Sequence, residues 1–340
     1  MDDGHLKILV IRFSSIGDIV LTSPVVRCIK KQKPDCEIHF LTKQQNVSIL
    51  QNNPYITKVY AIASTPRGNH DLLKELKKEN YSFVVDLQKN LRSFRIRTSL
   101  GKPSDTFPKL NAKKWVLVHL KKNIMPKVHI VDRYFEAVKR LGVVNDGKGL
   151  DYFLQDEDYI TNDALPMSFQ NGYITIAVGS KHETKQMPFE FIIRLCQKIK
   201  GEILLIGDIN DKPKANKIEN AIGSRVFNGC GAFSINQTAN LIDHSLGIIT
   251  PDTGSMHIAA ARKKNIISVW GNTVPELGMY PYLPEDMQDR YSIFEVKDLP
   301  CRPCSKLGFK KCPKKHFNCM RMQDIDKMAE IANSWVEDKD

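Results

Sequence analysis

A chain of 340 residues that is 42% hydrophobic and 26% charged holds enough apolar material for about two globular domains, which excludes a disordered chain, a fibre and a small disulfide-stapled scaffold. Its 50 Lys+Arg against 38 Asp+Glu leave a net charge of +12, which calls for an anionic partner and says nothing of fold. The excess is uneven: residues 1–160 carry +10 and residues 161–340 only +2, and positions 87–127 hold eleven basic residues and the single acid Asp105. That run reads either as a solvated face or as a surface that meets something anionic.

The start of the chain carries Asp2 and Asp3 where a secretory signal needs positive charge, and its apolar run Ile8–Ile11 is too short for a signal core. No stretch approaches the roughly 18 apolar residues of a spanning helix, so a cytoplasmic protein is expected. Lys7 to Arg12 reads as a buried strand that ends at Ser14, Ser15 and Gly17. Ile19, Val20, Ser23, Val26 and Cys28-Ile29 then recur at helical spacing until Lys30, Lys31 and Pro34. Glu37 to Leu41 is the next strand, Asp71 to Glu79 a helix, and Phe83 to Leu87 a further strand. Alternation of this kind predicts a mostly parallel, doubly wound sheet.

The pattern lapses between about Gly147 and Asn171, a stretch with Gly149, Asp156-Glu157-Asp158 and Pro166 that reads as a linker. A second series follows: strands at Tyr173–Ala177, Ile203–Ile206, Leu246–Ile249 and Ile266–Trp270, helices at Phe189–Lys200, Ile235–Ser245 and Ile258–Lys264, and a last amphipathic helix at Asp324–Val336. The expected architecture is α/β, with two Rossmann-like domains facing across a cleft: residues 1–160, residues 170–320, and a C-terminal helix over 321–340. Cys28, Cys36, Cys196 and Cys230 read as small core residues. Cys301, Cys304, Cys312 and Cys319, with His316 among them, can be spaced for a zinc site or simply be reduced loop thiols; the gaps are not those of a standard finger.

Three strand-to-helix turns carry the chemistry. In Arg12-Phe13-Ser14-Ser15-Ile16-Gly17-Asp18, the carboxylate of Asp18 serves either to cap the helix or as a general base presented at a strand end. A dinucleotide fingerprint is absent, since Gly17 stands alone. In Thr250-Pro251-Asp252-Thr253-Gly254-Ser255-Met256-His257, the amides after Asp252 form a seat for a diphosphate, with Gly254 allowing close approach, or Asp252 and Thr253 only cap the helix. Gly179 to Pro188 adds Ser180, Lys181 and Lys185 after the first strand of the second series.

The run Ile8–Val20 with Thr22 and Pro24, then Asp86–Ser93, Thr184–Pro188, and Asp252–Ala261 followed by Trp270-Gly271-Asn272-Thr273 together resemble glycosyltransferase family 9, the lipopolysaccharide heptosyltransferases, in the family's order along the chain. The resemblance implies a GT-B fold and inverting, metal-independent transfer of a sugar, heptose from ADP-heptose in the typical case, to an anionic glycolipid of the lipopolysaccharide-core type at the inner face of the cytoplasmic membrane. It makes Asp18 the general base and Lys185 the cation that neutralises the leaving diphosphate. Ser180, Asp211, Asp252, Thr253, Gly254 and His257 would line the nucleotide-sugar site, with Asp208 an alternative to Asp211. Ser15, Gly17, Arg92 and Arg133 would meet the acceptor. No metal or cofactor is expected: one base and a stabilised leaving group suffice, and Asp156-x-Asp158 falls in the linker. The rivals are a GT-B transferase or epimerase that uses another nucleotide sugar, and a basic nucleic-acid-binding protein, which would leave the three turns without a role.

Overall fold

The computed structural model describes residues 6–63, 65–161 and 164–337; Asp2 and Asp3 lie outside them. The chain divides into two compact units, Met1–Lys109 with Val128–Phe153, and Leu110–Lys127 with Leu154–Asp340.

The first unit is a five-stranded parallel sheet of β1 (Lys7–Ile11), β2 (Glu37–Lys43), β3 (Lys58–Ile62), β4 (Phe83–Asp86) and β5 (Ser104–Thr106) in the order β3-β2-β1-β4-β5. In β1, Ile8, Leu9, Val10 and Ile11 are wholly buried, because helices cover both faces of a central parallel strand and leave no side for polar residues. Register follows from that hydrophobic match: Ile8 lies beside Ile38 and Phe83, and Val10 beside Phe40 and Val85.

The single helix expected from Ile19 to Ile29 is two, Ile16–Val20 and Ser23–Gln32. Pro24 has no N–H to offer the carbonyl of Val20, and the Ser23 hydroxyl donates to it instead at 2.8 Å, while the Thr22 hydroxyl donates to Ile19 O at 2.7 Å. The second helix carries Arg27, buried inside the unit and held by Asp146 and Asp151. This ties the Ser23–Gln32 helix to the segment that closes the unit.

The second unit is a six-stranded parallel sheet of β6 (Tyr173–Ala177), β7 (Glu202–Ile206), β8 (Val226–Asn228), β9 (Gly247–Pro251), β10 (Asn265–Trp270) and β11 (Tyr291–Glu295) in the order β11-β10-β9-β6-β7-β8. The C-terminal helix Ile325–Glu337 is part of this unit: Met328, Ala329 and Ala332 share one core with Ile192, Leu195 and Cys196 of the helix Phe189–Lys198. Gly247 makes room for it, since a Cβ there would stand 2.5 Å from the Trp335 ring.

The division is not linear. Residues 110–127, placed by the sequence reading in the first domain, belong to the second unit, where Leu117 and Met125 pack with Val274 and Leu277. With the basic segment reassigned, the net charges become +8 for the first unit and +4 for the second. Cys28, Cys36, Cys196 and Cys230 are buried free thiols, as small core residues should be.

Candidate functional site

Each sheet reverses its strand order at one point, and in open α/β sheets the loops at such a point form the ligand crevice beyond the carboxyl ends of the strands. In the first unit the chain runs β1, β2, β3 to one side and returns to place β4 on the other side of β1. The loops that meet there are Arg12–Asp18 and Leu87–Ser93, two of the stretches singled out in the sequence.

Asp18 sits in the first turn of the helix Ile16–Val20 and accepts from the Ser15 N–H at 2.7 Å and the Ser15 hydroxyl at 2.9 Å through Oδ2. Its Oδ1 is 2.5 Å from Nη2 of Arg12. The capping function is therefore real, and it orients rather than hides the carboxylate, whose side chain keeps 21% exposure. Arg12 is itself buried; it donates to the Leu87 carbonyl and lies 5.6 Å from the centre of the Tyr134 ring. Burial pushes the Tyr134 hydroxyl well above its ordinary value. The Gln88 side chain accepts from Phe13 N–H at 2.9 Å, which stitches the two loops together.

Asp86, fully buried at the end of β4, accepts from the amides of Gln88 and Lys89 at 3.0 and 2.7 Å and from the Ser93 hydroxyl at 2.8 Å. Asn90 caps the helix Leu91–Leu100, so the Asp86–Ser93 motif is a scaffold whose first helical turn presents exposed Arg92 beside the crevice. Ser15 is exposed and Gly17 buried in the same turn as Asp18. Arg133 is different: only 3% exposed, its guanidinium is held inside the unit, and burial lowers its pKa. It stands in the helix Ile130–Phe135 next to Tyr134, whose ring faces Arg12.

In the second unit the reversal falls between β6 and β9, and the loops after them carry Ser180–Pro188 and Asp252–Gly254. Lys185 Nζ is 2.6 Å from Asp252 Oδ2 and also donates to the Asp252 carbonyl at 3.3 Å. The Thr273 hydroxyl, after β10, donates to the same carboxylate at 2.9 Å. The helix Gly254–Ala261 begins at Thr253, whose hydroxyl lies 3.1 Å from that of Thr250. The first-turn amides after Thr253 thus open at the strand ends, the disposition that favours anions, with a lysine beside them. Ser180 is joined to this loop by the Gln186 amide at 2.8 Å. His257 is buried in the first turns of the helix.

Asp211 is placed by two glycines. A Cβ on Gly179 would stand 1.8 Å from its Oδ2, and one on Gly207 would stand 2.7 Å from the same atom, so the carboxylate lies across the ends of β6 and β7. It accepts from Asp208 N–H at 3.0 Å, and burial raises its pKa. Asp208 is exposed and engaged with the Asn210 amide at 2.7 Å. Asp211 thus lies against the segments that leave β6 and β7, with Asp208 exposed beside it.

Two residues without an assigned role, Arg302 and Asn272, stand beside these loops. Arg302, from the cysteine-bearing strap, donates to the carbonyls of Gly271 at 2.6 Å and Thr273 at 3.1 Å. The strap also pairs with the other donor-side loop, Phe309 N–H to the Thr184 hydroxyl at 2.8 Å. A lone arginine among cysteines gives no periodic signal. Asn272 is 2% exposed, and neither amide atom has a partner among the described residues. Within the strap, Cys301 Sγ is 3.8 Å from His316 Nε2, and the Cys304 thiol, pushed up to about 11 by burial and by Cys301, donates to the Cys301 carbonyl. Among the described residues, no three His, Cys, Asp or Glu side chains are arranged to hold a metal ion.

This arrangement has close relatives. A model of glycosyltransferase family 9 (heptosyltransferase) matches residues 69–313. The chain is 29% identical over 290 residues to lipopolysaccharide heptosyltransferase 1 of Campylobacter coli, covering 79% of this chain and 84% of that one. To lipopolysaccharide heptosyltransferase 3 of Escherichia coli K12 it is 24% identical over 275 residues, covering 76% and 80%. Among solved structures, a family 9 glycosyl transferase of Veillonella parvula superposes with a TM-score of 0.77 at 16% identity, over 99% of both chains. The E. coli heptosyltransferase WaaC with ADP superposes with a TM-score of 0.67 at 19% identity, over 98% of this chain and 100% of that one. With two doubly wound Rossmann-like units of the GT-B class and a family model that covers well over half its length, the chain is a glycosyltransferase of family 9, the heptosyltransferase family.

Proposed function

We propose that the protein transfers heptose from ADP-heptose to an anionic lipopolysaccharide-core-type glycolipid, with inversion at the sugar carbon and without a metal ion, at the inner face of the cytoplasmic membrane. The observation that carries this reading is the pair of crevices: an oriented carboxylate, Asp18, at the reversal of one sheet, and a lysine beside a helix N-terminus at the reversal of the other. An inverting displacement needs one base and one stabilised leaving group. Asp18 takes the proton of the acceptor hydroxyl as its oxygen attacks the sugar carbon. Lys185 and the amides after Thr253 receive the charge that develops on the departing diphosphate, the task a metal ion performs elsewhere.

Lys185 is paired with Asp252. A diphosphate draws it away, and Thr273 keeps a bond to the carboxylate left behind. Ser180, Gly254 and His257 complete the diphosphate side, Asp211 the ribose side, and Ser15, Gly17, Arg92 and Arg133 the acceptor side. The assignment of the nucleotide is tested by calorimetry with ADP, UDP and GDP. ADP is expected to bind at least about tenfold more tightly than the others, a difference of about 1.4 kcal/mol; equal affinities, or a preference for UDP, would overturn the choice of donor.

A further inference from the structure

The strap Leu110–Lys127 has two unlike sides. Its short helix Asn111–Trp115 runs into a π-helical turn, Val116–Leu120, whose wider pitch brings residues four and five apart onto one side. Leu117 points inward, packed with Met125 against Val274 and Leu277. Lys121 pins the strap by donating to the carbonyls of Val118, Cys301 and Pro303, at 2.7, 3.2 and 2.6 Å. The other side exposes Trp115 (55%), Leu120 (54%) and Ile124 (50%), with Trp115 set against His119 at 4.9 Å between ring centres. The same strap carries Lys113, Lys114, Lys122 and Lys127, and the sequence has no Asp or Glu between Asp105 and Asp132.

We infer that this strap is the surface by which the protein lies on an anionic lipid bilayer, with Trp115, Leu120 and Ile124 entering the headgroup region and the lysines meeting lipid phosphates. Large apolar side chains exposed along a strap whose own sequence carries several lysines and no acid match an interfacial membrane element. Tryptophan favours that depth, where its ring is half in hydrocarbon and half in water. Nucleic acid would use the lysines but leave Leu120 and Ile124 without purpose. No described helix is long and apolar enough to cross a membrane. The inference builds on the glycolipid acceptor proposed above, yet it is tested without donor or acceptor.

The full chain is sedimented with phosphatidylcholine vesicles, with and without one third phosphatidylglycerol. The wild type is expected to bind the anionic vesicles, to bind the neutral ones far more weakly, and to be released by salt. Each lysine close to an anionic surface contributes roughly a fivefold gain in affinity. The triple variant Lys113→Gln/Lys122→Gln/Lys127→Gln is therefore expected to bind at least tenfold more weakly. Trp115→Ser/Leu120→Ser/Ile124→Ser should show a comparable loss with ADP affinity unchanged, and should it lose ADP binding, the lysine triple decides. A wild type that does not sediment with anionic vesicles, or variants that bind as it does, overturns the inference. Vesicle binding without heptosyl transfer would overturn the transferase reading alone.

Discussion

Asp18→Asn is expected to slow transfer by about 10²- to 10⁴-fold, the contribution of a positioned general base, and to leave ADP affinity within about twofold. The amide oxygen still accepts from the Ser15 N–H, so the cap survives in part, and the donor-side residues stand on the other unit. What the amide cannot do is take a proton. The substitution also removes the charge opposite buried Arg12, which keeps the Leu87 carbonyl, the face of Tyr134 and the more distant charge of Asp86. A lower melting temperature therefore accompanies the loss, and ADP binding by calorimetry shows that the second unit remains folded. Turnover within about tenfold of the wild type would remove Asp18 from this role.

Arg27→Met is expected to destabilise the first unit by about 3–5 kcal/mol, the cost of removing one partner from a buried ion pair. Arg27 Nε and Nη2 bind the two oxygens of Asp146 at 2.9 and 2.7 Å, Nη1 binds Asp151, and Nη2 also binds the Gly149 carbonyl at 2.9 Å. Methionine fills the space but leaves two carboxylates without their cation. For a unit of this size the melting temperature should drop by about 10 °C.

The same cluster sets an acid sensitivity. Burial alone would raise the Asp146 pKa, but bonding to Arg27 outweighs it and the carboxyl stands at about 2. In the unfolded chain it returns to about 3.9. The folded value is the lower one, so this stabilisation, about 2 kcal/mol, is present above pH 4 and is lost as pH falls toward 2. Arg27→Met should flatten that part of the stability–pH curve. A thermal shift under about 3 °C with an unchanged curve would show that the cluster contributes little.

The sequence made the centre of each sheet legible and its margins obscure, for a physical reason. Strands such as Lys7–Ile11 and Tyr173–Ala177 are covered on both faces and read as continuous apolar runs. The edge strands Ser104–Thr106 and Tyr291–Glu295 are half exposed and carry no such run, so the apolar pattern does not announce them. The chemistry-bearing turns could be found because they sit at strand ends, where Gly, Ser, Thr and Asp interrupt apolar segments. Spacing does not tell Asp208 from Asp211; their different burial depends on the room that Gly179 and Gly207 leave for the Asp211 carboxylate. The burial of Arg133 is equally hidden, because residue type alone places an arginine at the surface. The excursion of residues 110–127 into the second unit is invisible to any reading that assumes domains are contiguous.

The most direct test of the central claim is the product of a donor panel. The protein is incubated with ADP-heptose and a lipopolysaccharide-core acceptor in the presence of a chelator, and the product is examined by mass spectrometry and NMR. The expected result is an acceptor heavier by one heptose, with the configuration at the sugar carbon opposite to that of the donor, and no comparable product from UDP- or GDP-sugars. Retention of configuration, loss of transfer on chelation, or preferred use of another nucleotide sugar would contradict the account.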